Sequence, residues 1–433
     1  MRFVLCTLLL MLLGATVTTA QTNGFADWTL VDAQPASEVG ETRQMVLSPD
    51  GSQLAWNDST TIDLCTYSFD TEETICTDYP DDDPDGNNAL LNIHDTLFWS
   101  PDSTRIALTE EFFRELLESD IWLYDVASST FTDLTNDDAS GSLIRLDDYD
   151  VEYIIDSYPI WHPENGDLYF FRYEPFEGGL YPFRTALYRL PNNEGALGDP
   201  EQIIELTDQV PRANAIFNAQ HRSLAGSVAF SSDATQLAIL VRTAFAEDSA
   251  IWILDLTDNS VTEVATFPAW DDIGMPEWET IELVPQGLAW TADGNLVFSA
   301  IDETTLGAPI TWTVYHLSVA DGNVTPVFDF SDVPDASSYY GDLDADGNVA
   351  NYAYPRTAIM APDGETLLYF NFNRGLDRIN LSGIDLVNGG EAFVVASIPA
   401  DAFVFTPMDA VSMGYDEDTL RLLMYGYVFT FTR

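Results

Sequence analysis

The stretch "WSPDSTRIALTEEFFRELLESDIWLYDVASSTFTDLT" (99–135) reads as two hairpins in one unit. An apolar residue, Trp99, runs into a Ser-Pro-Asp-Ser turn, and "RIAL" returns as a second strand. After an insertion, "IWLYDV" (121–126) is a third strand, the "ASS" turn reverses it, and "FTDLT" (131–135) is the fourth. The turn residues have a mechanical reason. Pro presets one backbone angle, the Asp side chain bonds the local backbone, and Gly, where present, supplies positive φ.

The same grammar recurs along the chain. Near-copies are "LSPDGSQLAW" (47–56), "WHPENGDLYF" (161–170), "FSSDATQLAI" (230–239), "WTADGNLVFS" (290–299) and "MAPDGETLLY" (360–369), with a degenerate seventh in "VSMGYDEDTLRLLMY" (411–425). Anchored at Pro49, Pro101, Pro163, Ser232, Ala292, Pro362 and Tyr415, the intervals are 52, 62, 69, 60, 70 and 53 residues. Irregular spacing of a constant unit is what loop insertions produce. Third strands such as "IWILDL" (251–256) and "TVYHLS" (313–318), and fourth strands such as "VTEVATF" and "VTPVFDF", complete the units. Four antiparallel strands repeated around an axis make a β-propeller, which leaves short, protected sheet edges.

The expected fold is therefore all-β, a seven-bladed propeller of four-stranded antiparallel blades. The seventh unit has two strands and then "YVFTF" (427–431), one strand short, while "DWTLVD" (27–32) stands as an orphan before the first unit. The expectation is that this N-terminal strand completes the last blade as its outer strand. Six blades with a separate terminal hairpin is the alternative.

With 433 residues and 46% apolar composition, the chain can bury a large core. Residues 1–20, "MRFVLCTLLLMLLGATVTTA", carry one charge, a short apolar run and then small residues, the pattern of a secretory signal peptide cleaved after Ala20. The run is short for a membrane span, and Thr16 stands where a lipoprotein would need cysteine. The expectation is one propeller domain over 21–433, exported to a periplasmic or extracellular compartment, with no membrane insertion, as a monomer. Cys65 and Cys76 remain after cleavage. A hairpin turning at Asp70–Thr71 would set them face to face, and an oxidising compartment would join them as a disulfide.

The chain carries 71 acidic residues against 16 basic ones, for a formal charge of −55, and every base is an arginine. Such a field repels nucleic acid and anionic membranes and favours cations, basic partners or a salty medium.

The "SPDG…LA" turn followed by "IWLYDV" and "FTDLT" resembles the TolB-like, WD-repeat-like propellers of bacterial periplasmic and exported proteins, over nearly all of residues 21–433. The resemblance implies the fold and leaves function open. Members of that group serve as protein-docking platforms, as propeller halves of peptidases and as glycan-processing enzymes.

Function is expected in the connections between blades. The turn aspartates Asp50, Asp102, Asp233, Asp293 and Asp363 read as structural. Two blade-joining loops, "DDDPDGNN" (81–88) and "DLDADGNV" (342–349), match D-x-D-x-D-G, the first half of a calcium loop, in which alternate carboxylates converge on a hard cation. The ligands would be Asp81, Asp83, Asp85 and the carbonyl of Asn87 in one loop, and Asp342, Asp344, Asp346 and the carbonyl of Asn348 in the other. Asn92 and Ala353 stand where a bidentate Glu would complete each set, so a ligand must come from elsewhere. Solvated acidic Asx turns are the other reading.

Trp270, Trp278, Tyr339 and Tyr340, beside acids, could stack sugar rings or grip a basic peptide, or else pack between blades. The chain has no G-x-S-x-G elbow and no H-E-x-x-H motif. His162 falls in a hairpin turn and His316 in a strand. His94 and His221, the latter beside Gln220, precede inner strands and could face a central channel.

The leading expectation is a non-catalytic binding or scaffolding module for a protein or glycan partner, with calcium as its one candidate cofactor. A metal-assisted polysaccharide lyase or glycoside-processing enzyme using His94 and His221 is the alternative. A structural cell-envelope protein is a third.

Overall fold

The computed structural model places thirty short strands and two three-residue 3-10 turns among its described residues. Those residues are 25–39, 45–58, 61, 63–80, 97–109, 119–136, 154–175, 183–193, 195–210, 228–241, 249–267, 288–302, 311–329, 358–373, 378–386, 392–399, 411–424 and 426–433. No helix among them is long and apolar enough to cross a membrane.

Twenty-eight of the strands form seven antiparallel four-stranded sheets in a ring, six of them in chain order from the inner strand outward. Blade 1 consists of Val46–Leu47, Gln53–Asp58, Asp63–Ser68 and Glu73–Asp78, and blade 2 of Phe98–Trp99, Arg105–Thr109, Ile121–Asp125 and Thr130–Asp133. Blade 3 consists of Ile155–Trp161, Leu168–Pro175, Phe183–Leu190 and Glu201–Glu205, with a small hairpin, Asn192–Asn193 and Ala196–Leu197, between its last two strands. Blade 4 holds Val228–Phe230, Gln236–Val241, Ser249–Asp255 and Ser260–Phe267. Blade 5 holds Ala289–Trp290, Leu296–Asp302, Thr311–Leu317 and Val324–Asp329, and blade 6 Ala358–Met360, Thr366–Asn373, Arg378–Asp385 and Phe393–Pro399.

Blade 7 takes Val411–Tyr415, Thr419–Met424 and Tyr427–Thr432 from the end of the chain and Thr29–Pro35 from its start. The N-terminal strand pairs antiparallel with Tyr427–Thr432, from Thr29 opposite Thr432 to Pro35 opposite Tyr427. The ring closes as the orphan strand predicts, and the six-blade alternative does not hold. A ring has no end, so joining first strand to last removes the one long edge an open array would expose.

Each core cluster lies mainly between neighbouring blades. Leu54, Trp56 and Cys65 of blade 1 pack on Leu423 and Val428 of blade 7, and Ile106, Trp122 and Tyr124 of blade 2 pack on Ala55 and Leu64 of blade 1. Phe171, Tyr173 and Leu187 of blade 3 meet Leu237, Ile239 and Trp252 of blade 4. Strand alternation explains this, because odd and even residues face opposite neighbours.

The tryptophan that opens three of the repeated turns has a second task. Trp99, Trp161 and Trp290 donate Nε1–H to the carbonyls of Val46, Phe98 and Ala229, each on the inner strand of the preceding blade, at 3.1, 2.9 and 2.9 Å. In blade 4 the equivalent position is Phe230, which packs against His162 and Tyr169 instead.

Candidate functional site

Alternating strand direction divides the connections between the two ends of the ring. Turns between first and second strands, and between third and fourth, share one end, here the hairpin end. Connections between second and third strands, and from one blade to the next, share the other, the loop end.

At the hairpin end the aspartates serve their own turns. Asp50 Oδ1 accepts from Ser48 Oγ, Ser52 N and Ser52 Oγ at 2.7, 2.9 and 2.8 Å. Asp102 repeats the set with Ser100 and Thr104, and Asp233 with Ser231 and Thr235. Asp293 takes Thr291 Oγ1 and Asn295 Nδ2, while Asp363 takes the amides of Glu365 and Thr366. The Ser231 hydroxyl, with the Thr235 amide and hydroxyl, holds the Asp233 carboxyl below the usual range. At Asp50 and Asp102 partial burial pushes upward, but the converging donors outweigh it and the net direction is down. These carboxylates are structural, as expected from the sequence, and His162 Nδ1 faces the amides of Glu164 and Asn165 in the corresponding turn of blade 3.

At the loop end, the described residues form a buried polar seam between blades 2 and 3. Asp156, on the inner strand of blade 3, is fully buried, and Arg172 on the second strand holds it with two bonds, Nε to Oδ1 at 2.7 Å and Nη2 to Oδ2 at 2.5 Å. The guanidinium lies 4.8 Å from the Tyr188 ring centre. Burial alone would lower the Arg172 pKa, but the Asp156 carboxylate overrides it and raises it. Across the seam, Thr109 Oγ1 and Ser119 Oγ lie 2.9 Å apart, and Ser119 Oγ donates to the Asp156 carbonyl at 3.1 Å. The inner strand is irregular here. Its register shifts between Ser157 and Ile160, and Tyr158 sits at φ 59°. The sequence analysis missed this pair; the signal was one charged residue in each of two largely apolar or aromatic runs, "IIDSYPIW" and "LYFFRY".

Cys65 and Cys76 are opposite residues on the third and fourth strands of blade 1 and form a disulfide, as the hairpin reading predicts. The other predicted site residues lie outside the described residues: Asp81, Asp83, Asp85, Asn87 and His94 in segment 81–96, His221 in 211–227, Trp270 and Trp278 in 268–287, and Tyr339, Tyr340, Asp342, Asp344, Asp346 and Asn348 in 330–357. Each of these segments joins the outer strand of one blade to the inner strand of the next, so its two ends are anchored at the loop end. Segments 81–96 and 268–287 each carry five acidic residues and no arginine, whereas 211–227 carries Arg212 and Arg222 and no acid. Among the described residues, no three His, Cys, Asp or Glu side chains gather in a way that could hold a metal ion.

Blade count, strand order and closure define the class: the chain is a seven-bladed β-propeller closed by its N-terminal strand. It resembles TolB-like and WD-repeat-like propellers in fold. No protein-family model matches it, and no curated protein matches it. Solved structures similar to it include a putative TolB from Agrobacterium tumefaciens, with 16% identity over 66% of this chain and 80% of that one and a TM-score of 0.34. The oligogalacturonate lyase from Vibrio parahaemolyticus shares 12% identity over 76% of this chain and 73% of that one, with a TM-score of 0.43. The β-propeller domain of the Trilobed protease from Pyrococcus furiosus shares 13% over 83% and 82%, with a TM-score of 0.41. At these identities the likeness concerns fold alone.

Proposed function

We propose that this chain is an exported, non-catalytic binding platform that holds a protein or glycan partner at the loop end of its ring, with calcium ordering the two D-x-D-x-D-G loops. The observation that carries this reading is the contrast between the two ends. At the hairpin end the described turn aspartates are committed to their own turns. At the loop end lie the strand ends that flank the blade-joining segments, whose sequence holds Asp81, Asp83, Asp85, Asp342, Asp344 and Asp346 and the aromatic residues Trp270, Trp278, Tyr339 and Tyr340. Alternate carboxylates ahead of a glycine suit a hard cation, and aromatic faces suit sugar rings or arginine-rich peptides. The disulfide supports export, since such bonds persist in oxidising compartments.

The thermal midpoint of the purified protein in excess calcium and in chelator, at fixed ionic strength, tests the calcium part. Binding to the folded form contributes ~2.7 kcal/mol at a hundredfold excess over the dissociation constant. A rise that magnesium does not reproduce, and that Asp342→Asn abolishes, is expected. An unchanged midpoint removes calcium from the reading. Turnover of a uronic-acid polymer, lost on replacing His221, would overturn the non-catalytic assignment.

A further inference from the structure

Blade 1 ends at the loop end in a row of aspartates. Asp58 on the second strand is opposite Asp63 on the third, and Asp63 is opposite Asp78 on the fourth. Directly opposed residues of antiparallel strands project from the same face with their Cβ atoms about 5 Å apart, and like charges so placed destabilise the sheet. Asp58 accepts a hydrogen bond from the Thr61 amide at 3.2 Å. The other two carboxyls face each other. The Asp63 contact and its negative charge together push the Asp78 pKa up.

Asp63 is the unusual member. It is 8% exposed, and its Oδ1 is shut off from solvent without a hydrogen-bond partner. A buried acceptor with no donor bears its full desolvation penalty, heavier when charged, so a partner is called for. Arginine ion pairs seen among the described residues include Arg172 with Asp156 and Arg189 with Asp167 and Glu201, all in blade 3. With 16 arginines for 71 acids and no lysine, the chain has few cations of its own to supply.

We propose that Asp63 and Asp78 together seat a calcium ion, Asp63 from the sheet side through its unpartnered oxygen and Asp78 from the solvent side. Calcium takes six to eight oxygen ligands and accepts irregular sets completed by water, which suits a two-carboxylate site open on one side. Neither residue belongs to the D-x-D-x-D-G loops, the first of which begins in sequence at Asp81, three residues beyond Asp78.

Calorimetric titration of calcium into the full-length protein tests the assignment. The Asp78→Asn variant should lose one bound calcium per chain, or show at least tenfold weaker binding at one site, with an unchanged circular dichroism spectrum. Asp63→Asn should do the same; if that buried change impairs folding, Asp78→Asn decides alone, since Asp78 lies at the surface. A chain with Asp81, Asp83, Asp85, Asp342, Asp344 and Asp346 all changed to Asn should retain one calcium that Asp78→Asn then removes. A stoichiometry and affinity indifferent to Asp78→Asn overturns this site, whereas a stoichiometry indifferent to the six loop changes overturns the loop sites instead.

Discussion

At the scale of single residues, the chain shows what it accepts in order to keep its turns. The fourth position of the repeated turn adopts positive φ whether or not it is glycine: Gly51, Gly294 and Gly364 occupy it in blades 1, 5 and 6, but Ser103 and Ala234 hold φ of 58° and 55° in blades 2 and 4. Such a conformation costs a non-glycine residue of order 1 kcal/mol. At Ser103 there is a return, because its Oγ accepts the amide of Asp50 in blade 1 at 3.1 Å and so ties two blades together. The Asp156–Arg172 pair is the second residue-scale feature. Removing one partner of a buried pair leaves an uncompensated charge, so Arg172→Met should cost about 3–5 kcal/mol in urea unfolding. The double change Asp156→Leu with Arg172→Met should recover most of that loss. Equal stability of the Arg172→Met variant and the parent would show that water reaches Asp156.

At the scale of elements, the demanding contact is where blade 7 meets blade 1, the seam that closes the ring. The inner strand of blade 7 lies against the first turn of blade 1. Tyr415 donates its amide to the Pro49 carbonyl at 2.7 Å, Leu47 donates to Ser412 Oγ at 2.8 Å, and Arg421 Nη1 donates to the Gly51 carbonyl at 2.7 Å. The backbones approach so closely that a Cβ on Gly414 would stand 1.9 Å from the Ser48 carbonyl oxygen and 2.5 Å from the Gly51 nitrogen. Neither neighbour is a flexible side-chain end, so the seam itself must part. Gly414→Ala should therefore destabilise by at least the ~1–3 kcal/mol typical of an overpacked core, and hydrogen exchange should quicken in Thr29–Pro35 and Tyr427–Thr432 before other strands. Uniform exchange across all blades would instead mean that the ring opens as one unit.

At the scale of the whole molecule, charge opposes the fold. A formal charge of −55 in a compact ring repels itself, and the Debye length contracts from about 30 Å at 0.01 M salt to about 8 Å at 0.15 M. The thermal midpoint should rise steadily over that range of sodium chloride and then flatten. A midpoint independent of salt would show that the acids are already neutralised by bound ions. Among the candidate sites, those legible in the sequence depend on local pattern. The turn aspartates bond residues two or three positions away, so "SPDG" and its variants carried their own structural role. The disulfide was legible for the same reason, since Cys65 and Cys76 share one hairpin.

Strand period and turn chemistry, encoded within a few consecutive residues, carried the hairpins and pointed to seven blades closed by the N-terminal strand, and the pairing of Thr29–Pro35 with Tyr427–Thr432 then excluded the six-blade alternative. Which side chains meet, between blades and within them, was set by the packed fold. The tryptophan bonds to Val46, Phe98 and Ala229 link residues more than fifty positions apart, and the Asp156–Arg172 pair depends on a shifted register in one inner strand. The facing of Asp63 and Asp78 rests on pairing across a hairpin whose depth of burial is set by the rest of the ring. No pattern of neighbours in the chain specifies such contacts, since burial and cross-blade approach are properties of the assembled core.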